Sequence, residues 1–257
     1  LGNVADAEAL SYALKISLNI CYGLTSASFP NPFKDPRNID NIVAKRGALF
    51  MIDLKNACEK RGWPVVHIKT DSVKLADITQ EMIDFVMEFG ENYGYTFEHE
   101  ATYDKFCLVN DAVYIARKGD KWDAVGAQFQ HPYIYKKLFS HEPITFDDFC
   151  ETKQVSKGAM YLDFNFDRAA FLDSDIHFVG RTGRFVPVKE GRNGGMLWRV
   201  CDGKKYAVAG TKGYLWVEAE VAKSLSLDAI DMSYFEALEE NAIKAIEKYG
   251  SFEEFVS

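Results

Sequence analysis

Two short stretches carry side chains whose types and spacing can do chemistry. In Val65-Val66-His67-Ile68-Lys69-Thr70-Asp71-Ser72-Val73-Lys74-Leu75, residues 65–68 and 72–75 read as apolar strands joined by a tight turn. Asp71 stands at the tip, a carboxylate at the end of a rigid hairpin, where it can ligate a metal ion. Taken alone it reads more simply as an ordinary turn aspartate, because Asp is a common turn residue. In the second stretch, Lys15, Asn19 and Tyr22 fall at i, i+4 and i+7 of a helical segment, so a cation, an amide and an aromatic share one face. Such a face can meet a ligand, or can be a solvated stripe at the edge of a core helix.

The elements that must position these groups follow from periodicity and punctuation. Asn3 is a candidate cap for a first helix with Leu10 and Leu14 on its apolar face, ending at Gly23. Pro30, Pro32 and Pro36 exclude regular structure in the next segment. Asp40 or Asn38 then caps a second helix over 41–60, with Ile42, Val43, Leu49, Phe50, Ile52, Leu54 and Ala57 expected on its buried side and Arg61-Gly62 closing it. After the hairpin, Thr79 caps a third helix that stops at Tyr93-Gly94. Strands are expected over 95–102, 105–109, 112–117 and 122–125, and the mixture indicates an α+β fold with an antiparallel sheet. Residues 128–141 give no clear pattern, and 144–153 reads as a helix capped by Thr145. Further strands are expected at 176–180, 184–188, 196–201, 205–209 and 214–217, then two acidic helices at 219–225 and 234–248.

Composition bounds the rest. At 257 residues, 47% hydrophobic and 26% charged, the chain lies in the globular range with enough length for a real core. No run approaches the ~18 apolar residues of a membrane span, and the first residues lack the basic and apolar regions of a secretion signal, so a soluble, intracellular protein is expected. Cys21, Cys58, Cys107, Cys150 and Cys201 are odd in number and widely spaced, which argues against a disulfide framework or a structural zinc. The histidines lack metal-ligand spacing, no phosphate-loop or nucleophile-elbow motif is present, and Asp147-Asp148 reads as a pair of first-turn acids. The net charge of −8 is uneven: residues 177–215 hold eight Lys and Arg against two carboxylates, and 216–257 hold three against ten. Phe178, Phe185, Trp198, Tyr206 and Tyr214 alternate with the cations, a composition that suits a phosphate backbone or, equally, a sheet with a solvated basic face.

Taken together, Lys15-x-x-x-Asn19-x-x-Tyr22-Gly23 and the later Lys69-Thr70-Asp71-Ser72 resemble family B DNA polymerases of the phage and prophage type. The first matches that family's fingers motif position for position. The second matches its palm D-T-D-S motif with the first aspartate replaced. The resemblance covers roughly residues 1–117, extends to Glu100, Tyr103 and Tyr114, and implies fingers over 1–23, the C-terminal half of the palm over 24–130 and a thumb-like DNA-binding region over 131–257.

What the resemblance implies is nucleotidyl transfer from a dNTP to a primer 3′-hydroxyl by a two-metal mechanism. Asp71 would be a catalytic metal ligand for one of two Mg²⁺ ions. Lys15 would contact the triphosphate, Asn19 and Tyr22 would line the nascent base pair, Gly23 would admit the template backbone, and Thr70 and Ser72 would flank the substrate. Tyr114, Arg181, Arg184, Arg192, Lys204 and Lys205 would contact primer–template DNA, in a bacterial cytoplasm and away from any membrane. Three departures are visible. Lys69 stands where the family has its first palm aspartate, Ala112 stands where many members have Lys, and the upstream palm motif with the second metal-binding aspartate is not in these residues. A chain that begins with Leu1 is expected to be part of something longer, with little polymerase activity alone. The alternatives are an inactive DNA-binding or assembly module, and one chain of a split polymerase whose palm is completed by an upstream polypeptide.

Overall fold

Helix α1 (Val4–Ser26) opens the computed structural model, which describes residues 4–165 and 176–257, so the Asn3 cap lies outside the described residues. The chain divides into two compact units, Leu1–Glu100 and Ala101–Ser257. Both are built from helices and antiparallel strands, the α+β class expected from sequence.

In the first unit, α1 runs past the expected stop at Gly23, because the hydroxyls of Thr25 and Ser26 both donate to the Tyr22 carbonyl at 2.9 Å and hold another turn. Its apolar residues are uncovered, with Leu10, Leu14 and Leu18 between 57% and 70% exposed. The proline-rich segment folds back on the end of the helix: Asn31 Nδ2 donates to the Leu24 carbonyl at 3.1 Å, and Asp35 N to that of Thr25 at 3.3 Å. A 3₁₀ turn (Pro36–Asn41), capped by Asp35, leads straight into α2 (Ile42–Glu59). The residue at the head of α2 is therefore Asn41, in the left-handed conformation at φ 58° that Asn tolerates, and neither Asp40 nor Asn38 caps it.

The buried stripe of α2 is Phe50, Met51, Leu54 and Cys58, at i, i+1, i+4 and i+8. The elements against it are narrow, namely the hairpin β1 (Val65–Lys69) and β2 (Ser72–Leu75) and helix α3 (Gln80–Asn92), whose Val86 joins the core. One stripe is all they cover, so Ile42, Val43, Leu49 and Ile52, expected inside, are 41–62% exposed. Thr79 caps α3 as expected, accepting from Met82 N at 3.3 Å. Residues 95–102 do not form the expected strand. Tyr95 and Phe97 are instead drawn onto Phe50, with ring centroids 4.6 and 5.9 Å away, and Tyr95 N donates to the Gly90 carbonyl at 2.9 Å. Gly90 is what permits this approach, since a Cβ there would lie 2.6 Å from the Phe97 ring.

The second unit begins with a meander, β3 (Lys105–Asn110), β4 (Val113–Lys118) and β5 (Lys121–Val125). The unpatterned segment after it is a chain of single turns, α4 (Ala127–Gln130), α5 (Pro132–Tyr135) and a π turn (Lys136–Ser140). Only Phe146–Phe149 of the expected 144–153 helix is helical, one 3₁₀ turn closed by a Thr145–Asp148 capping box. The chain then extends into β6 (Glu151–Gln154), where Glu151 and Lys153 turn inward and Thr152 and Gln154 outward.

Beyond it lie β7 (Ala159–Asp163), β8 (Ile176–Gly180), β9 (Thr182–Val188), β10 (Met196–Cys201), β11 (Lys204–Ala207) and β12 (Leu215–Glu218). They form two antiparallel sheets, ordered β12-β9-β6 and β11-β10-β7-β8 and linked by a bridge between Gly195 and Trp216. The single turn α6 (Ala219–Ala222), then α7 (Met232–Glu247) and α8 (Phe252–Val256), close the chain. The core of this unit centres on the fully buried Trp216, Phe185, Phe235, Phe129, Ile134 and Ile246.

Candidate nucleotide and nucleic-acid site

The helical spacing of Lys15, Asn19 and Tyr22 survives in three dimensions: all three lie on the unbroken α1 and all are exposed. The Tyr22 hydroxyl is tied to the Asn41 side-chain oxygen, which fixes the lower end of this face against the head of α2. Gly23 is exposed and nothing would meet a Cβ there. The face thus offers one flexible cation, one amide and one anchored ring.

The hairpin forms as the alternation requires, with Lys69 paired to Ser72 across a two-residue turn of Thr70 and Asp71. Thr70 takes φ 51°, a region that glycine favours and a β-branched residue resists. Asp71 N donates to the Lys69 carbonyl at 2.7 Å and Ser72 Oγ donates to the same carbonyl at 3.2 Å, so the turn is tight and the Asp71 carboxylate is exposed at its tip. Mg²⁺ takes a near-octahedral shell of oxygens, from one or two carboxylates together with water and substrate. Here one carboxylate faces outward with Lys69 beside it, and no group of three His, Cys, Asp or Glu side chains gathers among the described residues. The residues present do not fit such an ion by themselves.

In the second unit the candidate DNA contacts separate into different environments. Tyr114 is 8% exposed on β4 and packs on Phe106 at 5.2 Å, so its ring belongs to the interior and not to an open face. Arg184 Nη2 lies 3.2 Å from Asp147 Oδ1, Arg192 Nη2 lies 3.0 Å from Asp228 Oδ2, and Lys205 Nζ lies 2.6 Å from Asp163 Oδ2. Arg181 and Lys204 are exposed, and among the described residues no carboxylate lies within ion-pair distance of either. Arg199, which the sequence offers only as one cation in a run, places its guanidinium 5.0 Å from the Tyr206 ring centroid.

A buried polar cluster escaped the sequence reading. Glu151 Oε1 meets His131 Nε2 at 2.7 Å and accepts from the Tyr234 hydroxyl at 2.9 Å, while Oε2 meets Lys153 Nζ at 3.3 Å. Burial pushes the Glu151 carboxyl up, but the His131 hydrogen bond and the Lys153 charge outweigh it and hold the group down at about 2. Burial and the Glu151 charge push the Tyr234 phenol far above its ordinary value. With Lys153 also 5.0 Å from the Trp216 ring, the four groups join β6, α7 and the residue that precedes α5 through one carboxylate. Their arrangement is that of a structural pin: the carboxylate oxygens are turned inward on His131 Nε2, the Tyr234 hydroxyl and Lys153 Nζ, while His131 Nδ1 is buried without a hydrogen-bond partner.

No helix among the described residues is long and apolar enough to cross a membrane. No family model matches the sequence, and no curated protein is similar to it. Among solved structures, the family B DNA polymerase from the hyperthermophilic archaeon Pyrobaculum calidifontis is similar over 91% of this chain at 13% identity, with a TM-score of 0.44. The match takes in 32% of that polymerase, so the chain spans about a third of its length.

Proposed function

We propose that this chain is part of a template-directed DNA polymerase of family B type, contributing the helix that faces the incoming nucleotide and one carboxylate of the nucleotidyl-transfer centre. The observation that carries the reading is the presence in one unit of an exposed Lys15, Asn19 and Tyr22 face on α1 and an exposed Asp71 at a rigid hairpin tip. An ammonium on a long stem suits a triphosphate as a mobile point charge. A ring held by its hydroxyl offers a flat surface indifferent to base identity, which a template-directed enzyme needs. Nucleotidyl transfer requires the attacking and leaving oxygens to be stabilised together. Since Asp71 is one carboxylate with Lys69 beside it, this reading draws the remaining ligands from outside the 257 residues.

Fluorescence anisotropy of a labelled, dideoxy-terminated primer–template with Mg²⁺ tests the reading on the chain as it stands. The templated dNTP tightens DNA binding more than the three others, and Lys15→Ala removes that difference. Equal response to all four nucleotides refutes the reading. The lone carboxylate favours a second reading, an inactive DNA-binding or assembly module. Under it, DNA binds with no nucleotide dependence, and primer extension by a longer protein containing these residues survives Asp71→Ala unchanged.

A further inference from the structure

Two cations of the basic run that meet no carboxylate among the described residues, Arg199 and Lys204, stand with Tyr206 at one edge of the four-stranded sheet, while Lys189 and Lys212 of the same run lie outside its strands. In the order β11-β10-β7-β8, Tyr206 lies opposite Arg199, Arg199 opposite Met160, and Met160 opposite Gly180. Residues opposite one another in antiparallel strands share a face. Met160, in the middle, is fully buried, while Tyr206 at the β11 edge is 44% exposed. Lys204 stands two residues before Tyr206, and Arg181 follows Gly180 at the far end of the row. Three strand spacings, roughly 14 Å, and the buried Met160 separate Tyr206 from Gly180, so the open end of the row is its β11 edge.

Arg181, Arg199 and Lys204 have no carboxylate at ion-pair distance among the described residues, whereas Arg184, Arg192 and Lys205 each have one. Between Arg199 and Lys204 the β10–β11 turn carries Asp202, whose Oδ2 accepts from the Cys201 thiol at 3.4 Å. Two cations, Arg199 and Lys204, beside one carboxylate, in a chain of net charge −8, make a local patch complementary to a polyanion. The Arg199 guanidinium lies over Tyr206, and the remaining exposed surface of that ring is open to a flat partner. A base in a duplex keeps its faces stacked inside. A base in an unpaired strand can lay one on a tyrosine, with its phosphates beside lysine and arginine.

We infer that this edge, Tyr206 with Arg199 and Lys204, is a contact surface for single-stranded nucleic acid: one base stacks on Tyr206 and the flanking phosphates run past Lys204 and Arg199. The inference rests on the nucleic-acid part of the function proposed above, but not on nucleotide selection or transfer. Anisotropy of a fluorescent twelve-residue oligothymidylate with the whole chain, without dNTP or Mg²⁺, separates the two, because loss of templated-nucleotide dependence leaves this measurement untouched.

Tyr206→Ala is expected to weaken binding about tenfold, within the range that stacking one base on an aromatic contributes, and Tyr206→Phe, which keeps the ring, to restore it. Lys204→Gln is expected to lower the slope of log affinity against log salt by about 0.7. Lys248→Gln, the same charge loss at the end of α7, leaves that slope unchanged. The inference is overturned if Tyr206→Phe binds as weakly as Tyr206→Ala. It is overturned equally if a duplex of the same length, or heparin at matched charge, competes as well as the single strand, or if Lys248→Gln lowers the slope as much as Lys204→Gln.

Discussion

Glu151→Gln is the perturbation whose size the structure fixes best. Three groups converge on this carboxylate, and the side chains of Glu151, His131 and Lys153 are only 15%, 10% and 10% exposed. A glutamine keeps the shape but offers one oxygen and one NH₂, so whichever way the amide turns, its NH₂ meets either the Lys153 ammonium or the His131 and Tyr234 pair. Removing one partner of a buried ion pair strands the other charge, which costs about 3–5 kcal/mol; the Trp216 ring beside Lys153 Nζ puts the expectation at about 3 kcal/mol. Proton linkage gives an independent figure. A carboxyl at about 2 in the folded chain, against an ordinary 4.5, corresponds to about 2–3 kcal/mol after solvent screening. Because the folded value is depressed, that stability is fully present above pH ~4.5 and is lost as pH falls toward 2. Urea unfolding of the second unit followed by tryptophan fluorescence at pH 6, 4 and 2.5 should therefore show a gap between the two proteins of about 3 kcal/mol that closes on acidification. Replacing Glu151 and Lys153 together by methionine should cost less than either single change. A gap below about 1 kcal/mol at pH 6, or one that stays constant down to pH 2.5, would refute the reasoning.

Two further outcomes follow from backbone geometry. Gly158 has φ 72°, and a Cβ built on it would lie 2.0 Å from the Val200 carbonyl oxygen, so Gly158→Ala should destabilise the second unit by about 2–4 kcal/mol through strain and forced separation of β7 from β10; an unchanged melting temperature would contradict this. Thr70 holds φ 51° at the hairpin tip, so Thr70→Gly should stabilise the first unit by about 0.5–1 kcal/mol, the relieved strain exceeding the added chain entropy, as measured by urea unfolding followed at Trp63.

Where hydrophobic periodicity or turn chemistry decided an element, the sequence was enough. The hairpin, α3 with its Thr79 cap, the meander and strands β8 to β12 were legible, while β7 was not. Legibility failed where side chains, not backbone pattern, decided. Tyr95 and Phe97 have strand character, but Phe50 claims their rings, and Gly90, forty residues from Phe50, makes room. Strand β6 turns Glu151 and Lys153 inward, so its period-2 signal is written in charged residues, and a search for alternating apolar residues passes over it.

The candidate site divides along the same line. Lys15, Asn19 and Tyr22 share a face because helical spacing alone dictates it, and Asp71 sits at a tip because the turn does. The nucleic-acid contacts depend on partners that a local count of charges cannot see. Asp147 and Asp228 lie 37 and 36 residues from the arginines they meet, Asp228 within a stretch that looks like an acidic tail. A run of eight cations is therefore a statement about composition. Availability to a phosphate is a statement about which cations the fold has already paired, and strand register sets one that meets no carboxylate among the described residues, Arg199, beside Tyr206 at the β11 edge.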